Sequence, residues 1–178
     1  MMDLTKKDLP NVVRIDGRPF SVYTDFRRWM RFEIEVGKLR KGEHIDISYL
    51  FINDMPEYCD LRELFAFSRP ESPLPRSMGG SNAVLLDYEL DADYIYSAFL
   101  GQYGIDLLEV KELHWHKFLA LLKGLKADEM ICRIMGYRAY EKTDSQKNIY
   151  EEQKRAWEIE RISPNMQREL DMFSSMFD

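Results

Sequence analysis

Alternation of β-formers opens the chain, and helical spacing takes over from about residue 24. Val12, Val13 and Ile15 precede Asp16-Gly17, and Phe20, Val22 and Tyr23 follow, which predicts a β-hairpin over residues 11–23. Glycine takes the positive φ of a two-residue turn without a Cβ clash. Pro19 cannot donate to a ladder, so it belongs at the strand's start or on an open edge. A lone hairpin is marginal in water and has to pack on something else. Thr24 or Asp25 can cap a helix from Phe26 to about Leu39 by accepting its orphan N–H groups. Phe26, Trp29, Met30, Glu33, Val36 and Gly37 share one side of that helix, while Arg27, Arg28, Arg31 and Lys38 point elsewhere. Shorter helices are expected over Asp46 to Asn53 and Leu61 to Phe67.

Residues 69–82 (RPESPLPRSMGGSN) break both periodicities with three prolines and a Gly-Gly pair, and read as a flexible linker. Beyond it, Ala92 to Gln102 has a wide apolar face, with Gly104 as its C′ residue. Residues 112–123 (ELHWHKFLALLK) are apolar nearly all round, the mark of a central helix, and Gly124 can end it. Asp128 can cap a helix running through Met135. A long polar helix from about Asp144 to Arg161 carries Tyr150 and Trp157 seven apart, and Ser163-Pro164 stops it and starts another. The expected fold is therefore mainly α: a single helical domain over residues 1–140 with a small N-terminal β-hairpin, and a C-terminal helical extension over 141–178.

The 178 residues suffice for one core, and 45% hydrophobic against 31% charged residues is a globular balance. A formal charge of -6 opposes non-specific attraction to nucleic acid or anionic membrane. The charge is uneven: residues 14–43 hold eight Lys/Arg and five Asp/Glu, whereas residues 87–112 hold seven acids and one base. Solvated helix faces account for this more simply than a dedicated charged interface. Cys59 and Cys132 form no CxxC pair, which fits a reducing compartment. The first ten residues lack an apolar secretory segment, and no window approaches a membrane span.

Motifs for nucleotide binding and for the common hydrolases are absent: the chain has no GxxxxGK[ST], GxGxxG, GxSxG or HExxH. His114 and His116, two apart on a helix, diverge too far to share a metal and fit a polar helix-face or capping role better, and His44 has no obvious partner. Asp87, Glu89, Asp91 and Asp93 alternate like a calcium loop, yet lack its central Gly and closing Glu; an acidic helix start explains them better. The Arg–aromatic run from Phe26 to Phe32 could bind single strands, but an amphipathic helix with aromatics inward is the simpler account. No catalytic, cofactor-binding or metal-binding residue is expected.

At the C-terminus, Met166, Leu170, Phe173, Met176 and Phe177 form an apolar stripe. Methionine adapts to varied partners, and an amphipathic helix seated in a groove is a standard recognition mode. The stripe is the candidate partner-binding surface, against the plainer alternative that it docks on its own domain.

Three blocks resemble a family of small proteins from phages and prophages of Gram-positive bacteria: Thr24-Asp25-Phe26-Arg27 with Phe32-Glu33; Tyr94-Ile95-Tyr96-Ser97-Ala98-Phe99-Leu100 with Gln102-Tyr103-Gly104-Ile105-Asp106-Leu107; and Leu113-His114-Trp115-His116-Lys117-Phe118 with Leu122-Lys123-Gly124-Leu125 and Tyr137-Arg138. The family usually has Trp where His116 stands. The resemblance spans about residues 11–140. It implies a tail-module protein, encoded between the major tail protein and the tape measure protein, and acting as a tail-assembly chaperone. Such a protein covers the long, apolar tape measure polypeptide and recruits tail-tube subunits. The implied partners are the tape measure protein and the major tail (tube) protein in the host bacterial cytoplasm, with a homo-oligomer left open and neither nucleic acid nor membrane bound. A structural minor component of the virion is the alternative, and a small enzyme or nucleic-acid-binding regulator the third reading.

Overall fold

The computed structural model describes residues 3–40, 42–70, 84–141 and 149–159. The fold is mainly α-helical with an N-terminal hairpin. Strands β1 (Val12–Ile15) and β2 (Arg18–Ser21) pair antiparallel, with Val12 opposite Ser21 and Ile15 opposite Arg18. The turn residues Asp16 and Gly17 have φ of 49° and 78°, the left-handed pair that an Asp-Gly hairpin requires. Val13 and Ile15 point into the core, and the Asp16 N–H donates to Glu63 at 2.8 Å, so the hairpin is seated on the helix that carries Glu63.

Helix α1 (Phe26–Lys38) starts at Asp25, whose carboxylate accepts from the Arg27 N–H. Its core residues are Phe26, Trp29 and Phe32. The i, i+3, i+4 stripe leaves out Phe32, which the aromatics-inward reading of residues 26–32 includes, and admits Gly37, which is exposed. The reason is that a second helix, α2 (Leu61–Ser68), covers the flank of α1: Trp29 lies 4.3 Å from the Phe67 ring and Phe32 lies 6.0 Å from Phe65. The apolar stripe is widened by two neighbours instead of one.

The helix expected over Asp46 to Asn53 shrinks to a 3-10 turn at Ser48–Leu50. Strand-like pairing wins beside it. Val22 bridges Phe51, the Tyr23 N–H donates to the Leu50 carbonyl, and the Ile52 N–H donates to Ser21. Backbone groups satisfied across β2 are unavailable for a helix.

Helix α3 (Ala92–Tyr103) ends at Gly104 with φ 65°, as the glycine predicts. Helix α4 begins at Trp115, not at Glu112, and runs to Lys123 (Trp115–Lys123). Residues 113–115 are drawn instead against the start of α1. Helix α5 (Met130–Ala139) has Glu129 at its N-cap with no side-chain hydrogen bond, in place of the expected Asp128. The last described helix, α6 (Ile149–Trp157), packs on α5. It ends at Trp157, short of the expected Arg161, since residues 158–159 are not helical; residues 144–148 and 160–161 of that expected helix, and residues 71–82 of the linker, lie outside the described residues.

An aromatic stack holds the centre. Phe118 is stacked on Phe26 and on Phe99, each at 5.0 Å, and on Trp115 at 5.5 Å, joining α1, α3 and α4 through one ring. Trp29, Phe32, Phe99, Trp115 and Phe118 are all fully buried. Apolar burial on this scale is the dominant stabilising term.

Candidate functional site

The arginines of α1 face several elements, and their partners decide what they can do. Arg27 donates to the carbonyls of Leu107 and Val110, each at 2.8 Å, and pairs with Asp25 at 3.2 Å. Arg28 donates to the Tyr49 carbonyl and lies over the Tyr23 ring at 4.0 Å. Arg31 pairs with Glu35 at 2.7 Å and lies over Tyr49 at 4.1 Å. Phe26, Trp29 and Phe32 turn inward. The Arg–aromatic run thus stitches segments together, and its rings are not a base-stacking platform.

The two histidines follow the same rule. His114 is the N-cap of α4: its Nδ1 accepts from the His116 N–H at 3.0 Å, which makes Nε2 the protonated nitrogen that donates to the Pro10 carbonyl at 2.9 Å. His116 is buried and its Nε2 lies 2.8 Å from the Phe67 carbonyl. Burial pushes both imidazoles below their ordinary pKa, only partly countered by those carbonyls. The Trp115 indole donates to Ser68 at 2.8 Å, so the HWH run clamps α4 onto the end of α2. The His116 Nδ1 and the Ser68 hydroxyl, both buried, have no partner among the described residues. No cluster of three or more His, Cys, Asp and Glu among the described residues could hold a metal. Cys59 is raised to about 11 by burial and by the acids Glu63 and Asp60, which suppresses its thiolate.

The acidic run 87–93 does something that sequence spacing did not suggest. Asp91 makes no side-chain cap to α3. It is 1% exposed and forms a bidentate ion pair with Arg138 of α5, at 2.6 and 2.9 Å. Arg138 also donates to the Leu85 carbonyl at 3.1 Å and to the Trp157 carbonyl at 2.7 Å. One buried guanidinium therefore ties four segments: the stretch before α3, the first turn of α3, α5 and the end of α6. Asp87 caps the turn ahead of α3, accepting from the N–H groups of Glu89 and Leu90. α5 carries two arginines, Arg133 and Arg138, and nothing local in the sequence marks Arg138 as the one that pairs with Asp91.

What remains for binding is surface. An open groove of about 520 Å³ is lined by Tyr23, Thr24, Asp25, Arg27, Arg28, Lys111 and Glu112. Its charged members are mostly engaged with one another or with backbone. Large apolar side chains stand out elsewhere, among them Leu108 at 78% exposure, Tyr58 at 73%, Ile149 at 70% and Leu90 at 65%. The expected partner-binding residues Met166, Leu170, Phe173, Met176 and Phe177 lie outside the described residues. No described helix is long and apolar enough to cross a membrane.

A family model described as Bacteriophage Gp15 protein matches residues 6–159. No curated protein matches the chain. No solved structure matches it either.

Proposed function

The chain belongs to the bacteriophage Gp15 protein family, and from that premise we propose that it is a tail-assembly chaperone that binds and shields the tape measure protein and recruits tail-tube subunits. Support comes from how the buried ionisable groups are used. Among the described residues, Asp91, Arg138 and His116 are the buried ionisable ones, and all three bind other segments of the fold. Reactive chemistry needs a titratable group aimed into a cleft, free to meet a substrate; here such groups are enclosed and engaged. Large apolar and aromatic side chains, among them Leu108, Tyr58 and Leu90, stand exposed between the charged groups of this helical body, which suits a protein that covers another protein's apolar length. No catalysis, resident metal or nucleic-acid binding belongs to this reading, and its setting is the cytoplasm of the infected bacterium.

Co-expression with the tape measure protein of the same phage, followed by affinity capture, tests the binding. A stable complex is expected; none, under any order of mixing, counts against it. Mass spectrometry of purified particles separates a chaperone, absent or far below stoichiometric, from a structural component retained in the virion.

A further inference from the structure

Helix α3 keeps one face clear of the other described elements. Ile95, Ala98 and Phe99 go to the core, and Tyr94 meets the edge of Trp157. Tyr96 stands two positions on from Tyr94, about 200° round the helix. Its hydroxyl donates to Asp106 at 3.1 Å, which holds the turn after α3 beside the same face. That hydrogen bond foremost, and the charge of Glu109 as well, raise the Tyr96 pKa, so Glu109 is near it too. Asp106 also accepts from the Leu108 N–H at 2.9 Å. Leu100, one turn on from Tyr96, is 43% exposed, and Leu108 is 78% exposed. Tyr96 and Asp106 thus link the two leucines into one open apolar face.

Two observations say what covers it. The first is charge. Within residues 87–112, Glu89 pairs with Lys38 and Asp91 with Arg138, whereas Asp93 and Glu109 have no ion-pair partner among the described residues. Arg27, which reaches the turn, is committed to Asp25 and to the carbonyls of Leu107 and Val110. Lys111 is the one base in that run. The face therefore favours a cationic partner and repels an acidic one. The second is Gly101, in the last turn of α3. Glycine weakens a helix relative to alanine. Gly101 is exposed, and a Cβ added to it would meet nothing within 4 Å, so no described neighbour demands a glycine there. What it leaves is room for another backbone to approach the helix closely. Gly136 of α5 is open in the same way, but no large apolar side chain of α5 is exposed beside it.

We propose that the face of Tyr96, Leu100 and Leu108 docks a cationic amphipathic helix of a partner protein. The apolar stripe of that helix covers the two leucines, its backbone crosses at Gly101, and its Lys or Arg side chains meet Asp93 and Glu109. The face owes nothing to the tape measure reading, and either can fail without the other.

The probe is a fluorescein-labelled synthetic helix with leucine on one face and lysine on the other, titrated with the full chain and followed by anisotropy. Saturable binding is expected, weakening as salt is raised. Leu100→Asp together with Leu108→Asp should weaken it at least about tenfold, because the apolar contact is lost. That variant is more acidic, so a general attraction to lysine would tighten binding instead. Gly101→Gln should also weaken binding about tenfold, by filling the place of closest approach. Its urea midpoint should rise, since glutamine is the better helix former, so unfolding cannot account for the loss. A matching helix of leucine and glutamate should not bind. The proposal is overturned if the lysine helix fails to bind the unaltered chain, binds the leucine variant equally or more tightly, or ignores Gly101→Gln. Equal binding of the glutamate helix, or a fall in the Gly101→Gln midpoint, overturns it as well.

Discussion

Asp25 and His114 face each other in an isolated antiparallel bridge, and each is also the N-cap of the helix that follows it. The Phe26 N–H donates to the Leu113 carbonyl at 2.8 Å, and the Trp115 N–H donates to Thr24 at 2.7 Å. Two helix starts thereby satisfy one another's orphan donors. Two positive helix ends brought together would repel, and the Asp25 carboxylate offsets this. It also accepts from the Leu113 N–H at 3.4 Å. Asp25→Ala should therefore destabilise the fold by about 1–2 kcal/mol, the upper range for a cap. Asp25→Asn, which keeps the acceptor, should cost less. Urea unfolding checks both, and equal losses would locate the effect in charge alone.

Stability should fall on mild acidification. His114 and His116 have folded pKa values depressed below 6.5 by burial. Below that value the unfolded chain takes up protons that the folded chain refuses. The histidine contribution is complete above about pH 6.5 and declines as the pH drops towards the folded values. Asp60, held down to about 2 by the Arg62 side chain, loses its contribution only in stronger acid, below its ordinary 3.8. The urea midpoint should thus drop between pH 7 and 5, and His116→Gln should flatten that slope.

The Asp91–Arg138 pair should behave as a buried charge pair does. Arg138→Met alone leaves Asp91 uncompensated and should cost about 3–5 kcal/mol, a large part of a domain's stability. Asp91→Leu alone should cost a similar amount. The double variant should recover much of the loss, since no buried charge remains, though the carbonyls of Leu85 and Trp157 lose their donor. A double-mutant cycle in urea measures the coupling.

Gly104 closes α3 with φ 65°, and a Cβ added there would meet nothing within 4 Å. The cost of Gly104→Ala is then backbone strain alone, about 1–2 kcal/mol. A loss above that in thermal unfolding would mean that the turn also positions its neighbours.

Local chemistry was legible in the sequence. The Asp16-Gly17 turn, the Asp25 cap and the Gly104 and Gly124 stops depend on a few adjacent residues, and each sits where spacing puts it. Long-range competition was not legible. Residues 112–114 read as helix, but the bridge to Asp25 claims this stretch; the capping role expected for the histidine pair falls to His114. Residues 46–53 read as helix, but pairing with β2 confines them to one turn. Asp91 read as a helix-start acid because its partner lies 47 residues on, in a helix whose sequence gives no sign of it. The candidate partner-binding stripe of Met166, Leu170, Phe173, Met176 and Phe177 lies outside the described residues.

The central claim is that this scaffold works by covering another protein. The most direct measurement is the fraction of tape measure protein that stays soluble when the two are expressed together, against expression alone. The account predicts a marked rise in soluble tape measure protein, co-eluting with this chain. An unchanged soluble fraction, with the chain eluting by itself, would contradict it.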